Sequence, residues 1–564
     1  MVRRAFLWLG VGLSCALWGQ EVSQSGLELK ATRPMVSQPE RARQAMVASV
    51  HELATAAGVE ILRRGGNAVD AAVAMGFVLA VVHPEAGNLG GGGYMLIRMA
   101  DGRSRVIDYR ETAPAAAHPG MYENSLEARV GYKASAVPGT VAGLAMAHRL
   151  FGSKPWRELL EPAWRLARRG FPASQRLELI LALQVPVMKQ FPETAQVFLH
   201  GADRPLKQGE VVRQPELGAT IRRIAQRGWR EFYEGETARR TAADMTAHGG
   251  TITYQDLQGY EPRAHEPLRG TYRGYTILTA PPSSGGGVPL VEMLNILECF
   301  PMRLGMEGSS ASRHLMIEAM KRAYRDRSFY LADPAFHAVP VERLTGKAYA
   351  AELAQSIRLD RATPSEELGR PQAAGDAESE ETTHFSLIDA AGNLVSNTYT
   401  LNGFFGSQVV AGGTGVLLND IMSAFATRAG SPNAIAPGKR PVASMSPTIL
   451  LRPDGAAWVA FGSPGAYTIS NTLLQVTVNL IDFKMSLRDA IEFPRIHHQY
   501  QPDRVDAEPG ALIFDVAERL KAQGHALNPR TRSQGDVHAV AIEEGTGWRM
   551  GWSDGRRGGR AVGY

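Results

Sequence analysis

Cysteine is nearly absent from this chain of 564 residues, which contains only Cys15 and Cys299. Cys15 lies in an N-terminal segment that has the pattern of an export signal, so removal of that segment leaves Cys299 without a partner in the chain. We therefore expect a mature protein without a disulfide, whose stability comes from its core. Hydrophobic residues make up 44% of the chain, which is ample for such a core.

A strong charge of one sign is also missing. The formal net charge is +5, and the N-terminal Arg3 and Arg4 supply two of these positive charges. The remainder is weak and dispersed along the chain, without the basic patch that nucleic-acid binding requires. We expect no nucleic-acid partner.

Long apolar runs and the common cofactor motifs are missing as well. After the N-terminal segment, the apolar helix predicted at 68–82 is shorter than the about 20 residues that span a bilayer. The glycines at 90–93 do not follow G-x-G-x-x-G, there is no phosphate-binding loop, and Ser463 lacks the upstream glycine of a nucleophile elbow. His497 and His498 are adjacent and would face opposite sides of a strand. We expect no cofactor and no metal site.

The N-terminus predicts export. Residues 1–20 combine Arg3 and Arg4 with an apolar stretch at 5–18, which is the pattern of a signal peptide. An uncleaved anchor and lipid attachment at Cys15 are the alternatives. Residues 21–45 are polar and are predicted to form a flexible lead. The mature protein is expected in the periplasm or outside the cell, without a stable transmembrane span.

A hairpin with hydroxyl groups at its open end is the most informative feature of the chain. Residues 384–389 and 394–400 are predicted strands joined by a tight turn, and their pairing returns Thr400 and Asn402 to Thr382. Two hydroxyls and an amide can form and hold an alkoxide. The base that this needs is the α-amine of Thr382, with a pKa of about 7.7–8.0, once Thr382 becomes a chain terminus. A polar surface hairpin is the alternative interpretation.

The segment before the hairpin suits a chain break at that position. Residues 360–380 are acidic, poor in apolar side chains and predicted to form a mobile loop that leads directly to Thr382. Self-cleavage of a precursor would require such a segment in front of its nucleophile. Elsewhere, helical spacing predicts helices at 156–169, 215–227 and 310–331.

Further motifs stand in order along the chain. They are VVHPEAGNLGGGGYMLIR (81–98), IDYRETAP (107–114), VPGTVAGLAMA (137–147), APPSSGGGVPLVEMLNILE (280–298), ETTHFSLID (381–389), NTYTLNGFFG (397–406), KRPVASMSPTIL (439–450), AFGSPGAYTIS (460–470) and the tail SDGRRGGRAVGY. From about residue 46 to the end, the chain thereby resembles the gamma-glutamyltransferase (glutathione hydrolase) family of N-terminal-nucleophile hydrolases.

The resemblance implies an α+β fold, a four-layer αββα sandwich, made as one precursor that cuts itself. The large subunit would comprise residues 46–381 and the small subunit residues 382–564. Thr382 would be the nucleophile: its hydroxyl attacks the Glu381 carbonyl, an N-to-O acyl shift follows, and hydrolysis frees the amine.

The resemblance also implies roles for single residues. Thr400 and Asn402 would orient the nucleophile and the carboxylate region of the substrate. The backbone N–H groups of Gly465 and Ala466 would bind the oxyanion, with Ala466 in place of the second glycine of the family. Arg110 would grip the substrate α-carboxylate, a contact that suits a planar guanidinium. Ser444 would lie near that carboxylate.

Departures from the family pattern concern the substrate ammonium group. Where the family usually has N-N-x-M-D-D-F, this chain has NDIMSAF at 419–425, so Ile421 and Ala424 occupy the positions that commonly hold the ammonium. Ala443 replaces a serine. Asp420 would compensate if its carboxylate turned toward the substrate, but its position is equally compatible with the opposite direction.

Three functions remain open from the sequence. The first is an exported gamma-glutamyltransferase or glutathione hydrolase, which moves a γ-glutamyl group from a small amide to water, amino acids or peptides. The second is an acylase on the same scaffold that cleaves glutaryl-type amides, as cephalosporin acylase relatives do. The third is a non-enzymatic exported binding protein.

Overall fold

Two seven-stranded antiparallel sheets form the centre of the fold. The first contains the predicted hairpin and is named the hairpin sheet; its spatial order is Arg560–Gly563, Met46–Ser49, Glu381–Ile388, Leu394–Asn402, Gly92–Arg98, Ser104–Asp108 and Arg263–His265. The second, named the facing sheet, has the order Glu40–Ala42, Arg549–Ser553, His538–Ile542, Ala457–Gly462, Thr448–Leu451, Tyr275–Thr279 and Leu268–Tyr272.

The computed structural model describes residues 38–201, 203–369, 381–426, 430–530 and 533–564. The predicted export signal, the lead up to residue 37 and the acidic stretch 370–380 lie outside the described residues. Residues Glu40–Tyr564 form one compact unit, to which both sheets belong. Over the described ranges, no helix combines the length and the apolar character needed to cross a bilayer.

One helical layer covers the outer face of the hairpin sheet. Phe385, Leu387 and Val395 of the hairpin share a buried core with these helices. The helices of this layer are Glu52–Arg63, Ala68–Val82, Thr140–Phe151, Trp156–Arg169, Gln175–Met188, Pro192–Phe198, Pro215–Arg227, Glu231–Glu234, Glu236–Ala247 and Tyr254–Gln258. Because strand side chains alternate between faces, the adjacent residues Ser386 and Ser396 point to the facing sheet.

A second helical layer covers the outer face of the facing sheet. Its core includes Leu450 and Phe461 from the strands and Leu290, Met316 and Leu473 from the helices. The helices are Gly287–Glu298, Ser310–Tyr330, Val341–Leu344, Lys347–Gln355, Thr468–Ile481, Leu487–Glu492 and Phe514–Ala522. The architecture is therefore the expected four-layer αββα sandwich.

Short elements complete the described chain. Single turns of 3-10 helix lie at Tyr132–Ala134, Ser365–Leu368 and Ile421–Ala424. The minor strands are Phe171–Pro172 with Val211–Val212, Leu199–His200 with Arg204–Pro205, Val410–Ala411 with Val416–Leu417, and the trio Ile496–His497, Val505–Ala507 and Leu527–Pro529.

The predicted apolar helix is confirmed as Ala68–Val82, and all of its residues are buried. Asn67 accepts hydrogen bonds from the N–H groups of Val69 and Asp70, and the Asp70 carboxylate accepts one from the Asn67 N–H. This reciprocal capping box fixes the start of the helix. The predicted helices at 156–169, 215–227 and 310–331 are also confirmed, as Trp156–Arg169, Pro215–Arg227 and Ser310–Tyr330.

The structure differs from the sequence prediction at two segments. Glu40–Ala42, predicted as part of a flexible lead, pairs with Arg549–Ser553 as an edge strand, and Ala42 is buried. The first part of the predicted mobile loop is also held in place, because Ser365 donates its hydroxyl to the carbonyl of Tyr500 at 2.7 Å. In both cases the partner lies far along the chain, where a local composition argument cannot find it.

Both sheets combine strands from either side of residue 381. Met46–Ser49 lies between Arg560–Gly563 and Glu381–Ile388, and Leu394–Asn402 pairs with Gly92–Arg98. The glycines at 91–93 permit this last approach: a Cβ at Gly91 would lie 2.0 Å from the Thr400 carbonyl oxygen. Close packing of backbone against the hairpin therefore accounts for this glycine run, which does not fit a cofactor loop.

Candidate active site at the start of the central hairpin

The predicted hairpin is confirmed, and it begins earlier than the sequence indicated. Its strands are Glu381–Ile388 and Leu394–Asn402, and Glu381 lies opposite Asn402. The register shifts directly at Thr382, because Thr383 lies opposite Tyr399. Two residues of the second strand, Thr400 and Leu401, therefore face one residue of the first. The bulge lies at Thr382 and Thr400, whose hydroxyl oxygens are in contact.

Hydroxyl groups converge on the carbonyl of Glu381. Thr382 Oγ1 donates to the Glu381 oxygen at 2.8 Å, and Thr400 Oγ1 donates to the same oxygen at 2.7 Å. The two hydroxyl oxygens are 3.3 Å apart, and the Asn402 N–H donates to Thr400 Oγ1 at 2.8 Å. Thr382 thus lies beside the carbonyl group that it would attack, and Thr400 polarises that carbonyl.

Two arginines hold the side chain of Glu381. Its carboxylate accepts from Arg557 Nη1 at 3.1 Å and lies 3.5 Å from Arg176 Nη2. The side chain of Glu381 is 9% exposed, so these contacts are largely shielded from water. Sequence analysis assigned no role to either arginine. Arg557 belongs to the tail motif, but no local signal links Arg176 to a site that lies about two hundred residues further on.

Gly465 and Ala466 form a turn at the end of strand Ala457–Gly462. The Phe461 carbonyl accepts from Ser396, and Gly462 packs so tightly against His384 that a Cβ there would lie 2.4 Å from the ring. Since Ser396 lies opposite Ser386, the strand runs from the level of Ser386 toward that of Thr382. The turn at Gly465 and Ala466 therefore lies at the end of the hairpin where Thr382 is found.

The backbone of this turn can present two N–H donors. Gly465 and Ala466 both have positive φ, +124° and +50°. Among the described residues, neither N–H group donates a hydrogen bond to a protein acceptor. A left-handed φ costs alanine roughly 1–2 kcal/mol, and strain of this kind concentrates at functional sites. Ala466 therefore offers the same backbone N–H group that a glycine would, although its φ is unfavourable for alanine.

Asp420 is turned toward the hairpin. Its carboxylate accepts from the Gly403 N–H at 2.7 Å, and Asn402 Nδ2 donates to its carbonyl at 3.3 Å and to Ser423 Oγ at 3.0 Å. Burial raises the pKa of Asp420 to about 7, although the hydrogen bonds from Gly403 and Asn402 oppose this shift. Asp420 therefore supports the loop after the hairpin, and it carries a full negative charge only above neutral pH.

Arg110 is almost fully buried, with 2% of its surface exposed. Its Nη1 donates to the Glu111 carboxylate at 2.9 Å and its Nε to the Pro441 carbonyl at 3.3 Å. The Glu111 carboxylate in turn lies 2.7 Å from where a Cβ would stand at Gly92, the residue opposite Thr400. The structure therefore links Arg110 through Glu111 to the backbone that pairs with Thr400.

The positions of Ile421 and Ala424 are apolar. Both side chains are buried in a small cluster with Phe425, Ile435 and Ala113. The Ala424 carbonyl accepts from Asn433 Nδ2 at 2.7 Å, which fastens this segment to the chain that leads to Ser444. These two predicted substrate contacts therefore offer van der Waals surface and no charge for an ammonium group.

Arg327 connects Ser444 to the turn formed by Gly465 and Ala466. The guanidinium of Arg327 donates to Ser444 Oγ at 3.3 Å and stacks on the Tyr467 ring, 4.5 Å from its centroid. Tyr467 directly follows Ala466. Arg327 lies on helix Ser310–Tyr330, where sequence analysis saw only helical spacing, so its role could not be predicted.

Comparison with known proteins identifies relatives over nearly the whole chain. The gamma-glutamyltranspeptidase family profile matches residues 54–564. The glutathione hydrolase proenzyme of Escherichia coli (strain K12) is 43% identical over 508 residues, which cover 87% of each chain. The acylase ACY 1 proenzyme of Pseudomonas sp. (strain SE83) is 40% identical over 89% of this chain and 91% of its own. Cephalosporin acylase from Bacillus halodurans superposes with a TM-score of 0.85 at 28% identity, covering 94% of this chain and 98% of its own.

Thr382→Ala should leave one uncut chain near the full mass of 61.1 kDa, because the attacking hydroxyl is gone. Denaturing electrophoresis and intact-mass analysis measure this directly. Thr383→Ala is the matched control, since Thr383 is buried beside it and its hydroxyl makes no hydrogen bond within the described chain. Normal cutting of the Thr382→Ala protein would remove Thr382 from the chemistry.

Asp420→Asn should change how stability depends on pH. A carboxyl whose pKa is raised in the folded state stabilises the fold when protonated, and this contribution is lost as the pH rises from about 4 to about 7. Asparagine keeps the acceptor for Gly403 and does not titrate. We therefore expect the Tm of the wild type to fall relative to that of the variant across this interval. Parallel Tm–pH curves would show that Asp420 does not titrate there.

Proposed function

The chain belongs to the gamma-glutamyltranspeptidase family and is an enzyme of that family, and we propose that it cuts itself before Thr382 and then transfers the γ-glutamyl group of glutathione-like amides to water, amino acids or peptides. One observation carries this proposal. In the continuous chain, the Thr382 hydroxyl lies 2.8 Å from the carbonyl oxygen of Glu381, which Thr400 also binds.

Maturation begins with attack of Thr382 Oγ1 on the Glu381 carbonyl carbon. The hydroxyl loses its proton, and the negative charge that forms on the carbonyl oxygen meets the Thr400 hydroxyl. Collapse breaks the C–N bond, so the Glu381 acyl group moves from nitrogen to oxygen, and the nitrogen takes up the proton that the hydroxyl lost and becomes an amine. Water then hydrolyses the ester, which gives a Glu381 carboxylate and a free Thr382 hydroxyl and amine.

Catalysis reuses the same hydroxyl. The α-amine of Thr382 accepts the hydroxyl proton, and Oγ1 attacks the substrate amide carbonyl. The N–H groups of Gly465 and Ala466 bind the oxyanion, and one such donor is worth ~2.7–4 kcal/mol in the transition state. The amine returns its proton to the leaving nitrogen. Water or an acceptor amine then attacks the acyl-threonine ester and regenerates Thr382.

Donor recognition is the part of the proposal in which this chain departs from its family. Arg110, supported by Ser444, is the proposed partner of the donor carboxylate. Ile421 and Ala424 supply no charge for the donor ammonium, and a desolvated charge without its partner costs ~2–5 kcal/mol. We therefore infer a donor site that depends mainly on the carboxylate and tolerates variation at the amino end.

A second function is favoured by one specific observation. The apolar cluster around Ile421 and Ala424 suits an acyl group that carries a carboxylate but no ammonium, such as a glutaryl group. Acylase relatives match this chain at 40% identity over 89% of its length, close to the values for the hydrolases. Glutaryl-amide hydrolysis is therefore the competing activity.

We further propose that the enzyme works after export, as a large subunit that ends at Glu381 and a small subunit that starts at Thr382. The basis for export is the N-terminal pattern of residues 1–20. The proposed partners of the enzyme are small carboxylate-bearing amides and acceptor amines. The low and dispersed net charge of +5 supports no role for nucleic acid.

The decisive experiment compares kcat/KM for γ-glutamyl and glutaryl p-nitroanilides on matured protein, with the Thr382→Ala protein as the blank. A higher value for the γ-glutamyl compound supports the first function. A clear glutaryl preference overturns it in favour of the acylase. Absence of turnover for both, in protein that mass analysis shows to be cut, would reject both.

Ala424→Asp should increase γ-glutamyl activity, because a carboxylate at this position gives the donor ammonium a partner. We expect a fall in KM of about tenfold or more for the γ-glutamyl anilide, which corresponds to a charge-assisted hydrogen bond, and none for the glutaryl anilide. Ala424→Asn is the uncharged control of the same shape. An equal effect of both substitutions, or a gain for the glutaryl anilide, would count against the ammonium argument.

A further inference from the structure

The side chain before the cut occupies a carboxylate-binding site of its own. Arg557 and Arg176 approach the same oxygen, Glu381 Oε2, at 3.1 and 3.5 Å. Arg557 is 11% exposed and is placed by its backbone N–H, which donates to the Asp536 carboxylate at 3.2 Å. The Asp536 N–H in turn donates to Ser463 Oγ at 2.9 Å, next to the turn that contains Gly465. Arg557 is therefore fixed by buried groups close to Gly465, whereas the side chain of Arg176 is 30% exposed.

The position of this carboxylate relative to the reacting carbonyl is chemically informative. In Glu381 the carboxylate is separated from the carbonyl that Thr382 attacks by the length of a glutaryl chain. A γ-glutamyl or glutaryl donor places its free carboxylate at the same separation from its own reacting carbonyl. An α-amino acid acceptor also brings a carboxylate close to the reacting carbonyl when its amine attacks.

A cavity adjoins the two arginines. It has a volume of ≈ 530 Å³, which lies within the range of small-molecule sites. Arg176 and Arg557 line it together with His51, His83 and Glu85. Burial alone would raise the pKa of Glu85, but His83 at 3.1 Å and Arg176 at 3.8 Å lower it to about 2. The cavity therefore contains both guanidinium groups and a permanent carboxylate.

This site differs from the one assigned to Arg110. Arg110 is engaged by Glu111 and by the Pro441 carbonyl, and it lies at the end of strand Ser104–Asp108. Arg176 lies in the first turn of helix Gln175–Met188, and Arg557 lies just before strand Arg560–Gly563. The two arginine sites thus approach the hairpin from different elements.

We propose that Arg176 and Arg557 form a second carboxylate subsite, which Glu381 occupies before the cut and the free carboxylate of a small substrate occupies after it. The inference rests on the proposed function, because it requires a cut chain and an acyl-threonine. When Glu381 is no longer joined to Thr382, the side-chain carboxylate of Glu381 can leave the two arginines. Its departure removes the negative charge that both guanidinium groups contact. The incoming carboxylate belongs either to the acyl donor or to the acceptor amine.

The test uses the matured full-length enzyme with Arg176→Gln, Arg557→Lys and the control Arg560→Gln. Lysine at 557 keeps a charge for Glu381 during maturation but loses the paired donors of the guanidinium. Arg560 lines the same cavity, yet its nearest acid is Glu52 at 3.8 Å and its side chain is 65% exposed. Intact-mass analysis confirms that each protein is cut before it is assayed.

Two pairs of compounds separate the sources of the carboxylate. The first pair is glutaryl and butyryl p-nitroanilide, assayed by hydrolysis without acceptor. The second is glycylglycine and glycylglycinamide, assayed as acceptors with one fixed donor. If the donor carboxylate binds the subsite, Arg176→Gln should raise the KM of glutaryl p-nitroanilide about tenfold, as expected for a lost charge-assisted hydrogen bond. If the acceptor carboxylate binds there, the same rise should be seen for glycylglycine. Arg557→Lys should act in the same direction, while the uncharged member and the Arg560→Gln protein stay unchanged.

The outcomes are distinct. An effect on the glutaryl compound alone assigns the subsite to the donor carboxylate and takes that role from Arg110, and an effect on glycylglycine alone assigns it to the acceptor. Equal changes for charged and uncharged members, or no change in cut and active variants, overturn the proposal. An inactive wild type would instead contradict the proposed function, so the two failures cannot be confused.

Discussion

The carbonyl oxygen of Glu381 is the point on which the site depends. Two threonine hydroxyls donate to it, at 2.8 and 2.7 Å, in a buried environment where hydrogen bonds are stronger than in water. The pairing of Thr383 with Tyr399 places Thr382 next to Thr400, and the register shifts just beyond them, so that Glu381 lies opposite Asn402. Strand pairing therefore brings both hydroxyls to the carbonyl of Glu381.

The site is supported by contacts from different parts of the chain. Asp420 and Asn402 hold the loop after the hairpin, and Arg327 connects Ser444 to Tyr467. Arg557 reaches Glu381 from the tail. Because these contacts cross between distant segments, substitution of any of them would disturb the geometry at Thr382 without touching the reacting atoms. Ala424 is different, since it lies in the apolar cluster with Ile421 and makes none of these contacts.

Local pattern predicted much of this structure. The apolar run at 68–82 and the amphipathic spacing at 215–227 became helices, and the turn at 390–393 produced the hairpin. The sandwich itself came from the family resemblance, because spacing alone does not reveal which strands share a sheet. Arg176, Arg327 and the edge strand Glu40–Ala42 were missed, since each acquires its role through a partner more than one hundred residues away. The direction of Asp420 was left open because the 3-10 turn that follows it is only four residues long, too short for a sequence pattern to show which side faces the interior.

The mixing of strands from the two sides of residue 381 within each sheet has a consequence for the protein after the proposed cut. Hydrogen-bonded ladders such as Met46–Ser49 against Glu381–Ile388 join the two products in both sheets. Breaking one peptide bond leaves these ladders intact, so the halves stay interlocked as long as the fold persists. Once unfolded, however, they are separate molecules, and refolding becomes a bimolecular encounter that depends on concentration. The proposed cut would thus convert one chain, whose refolding is unimolecular, into an assembly of two chains that persists only while both stay folded together.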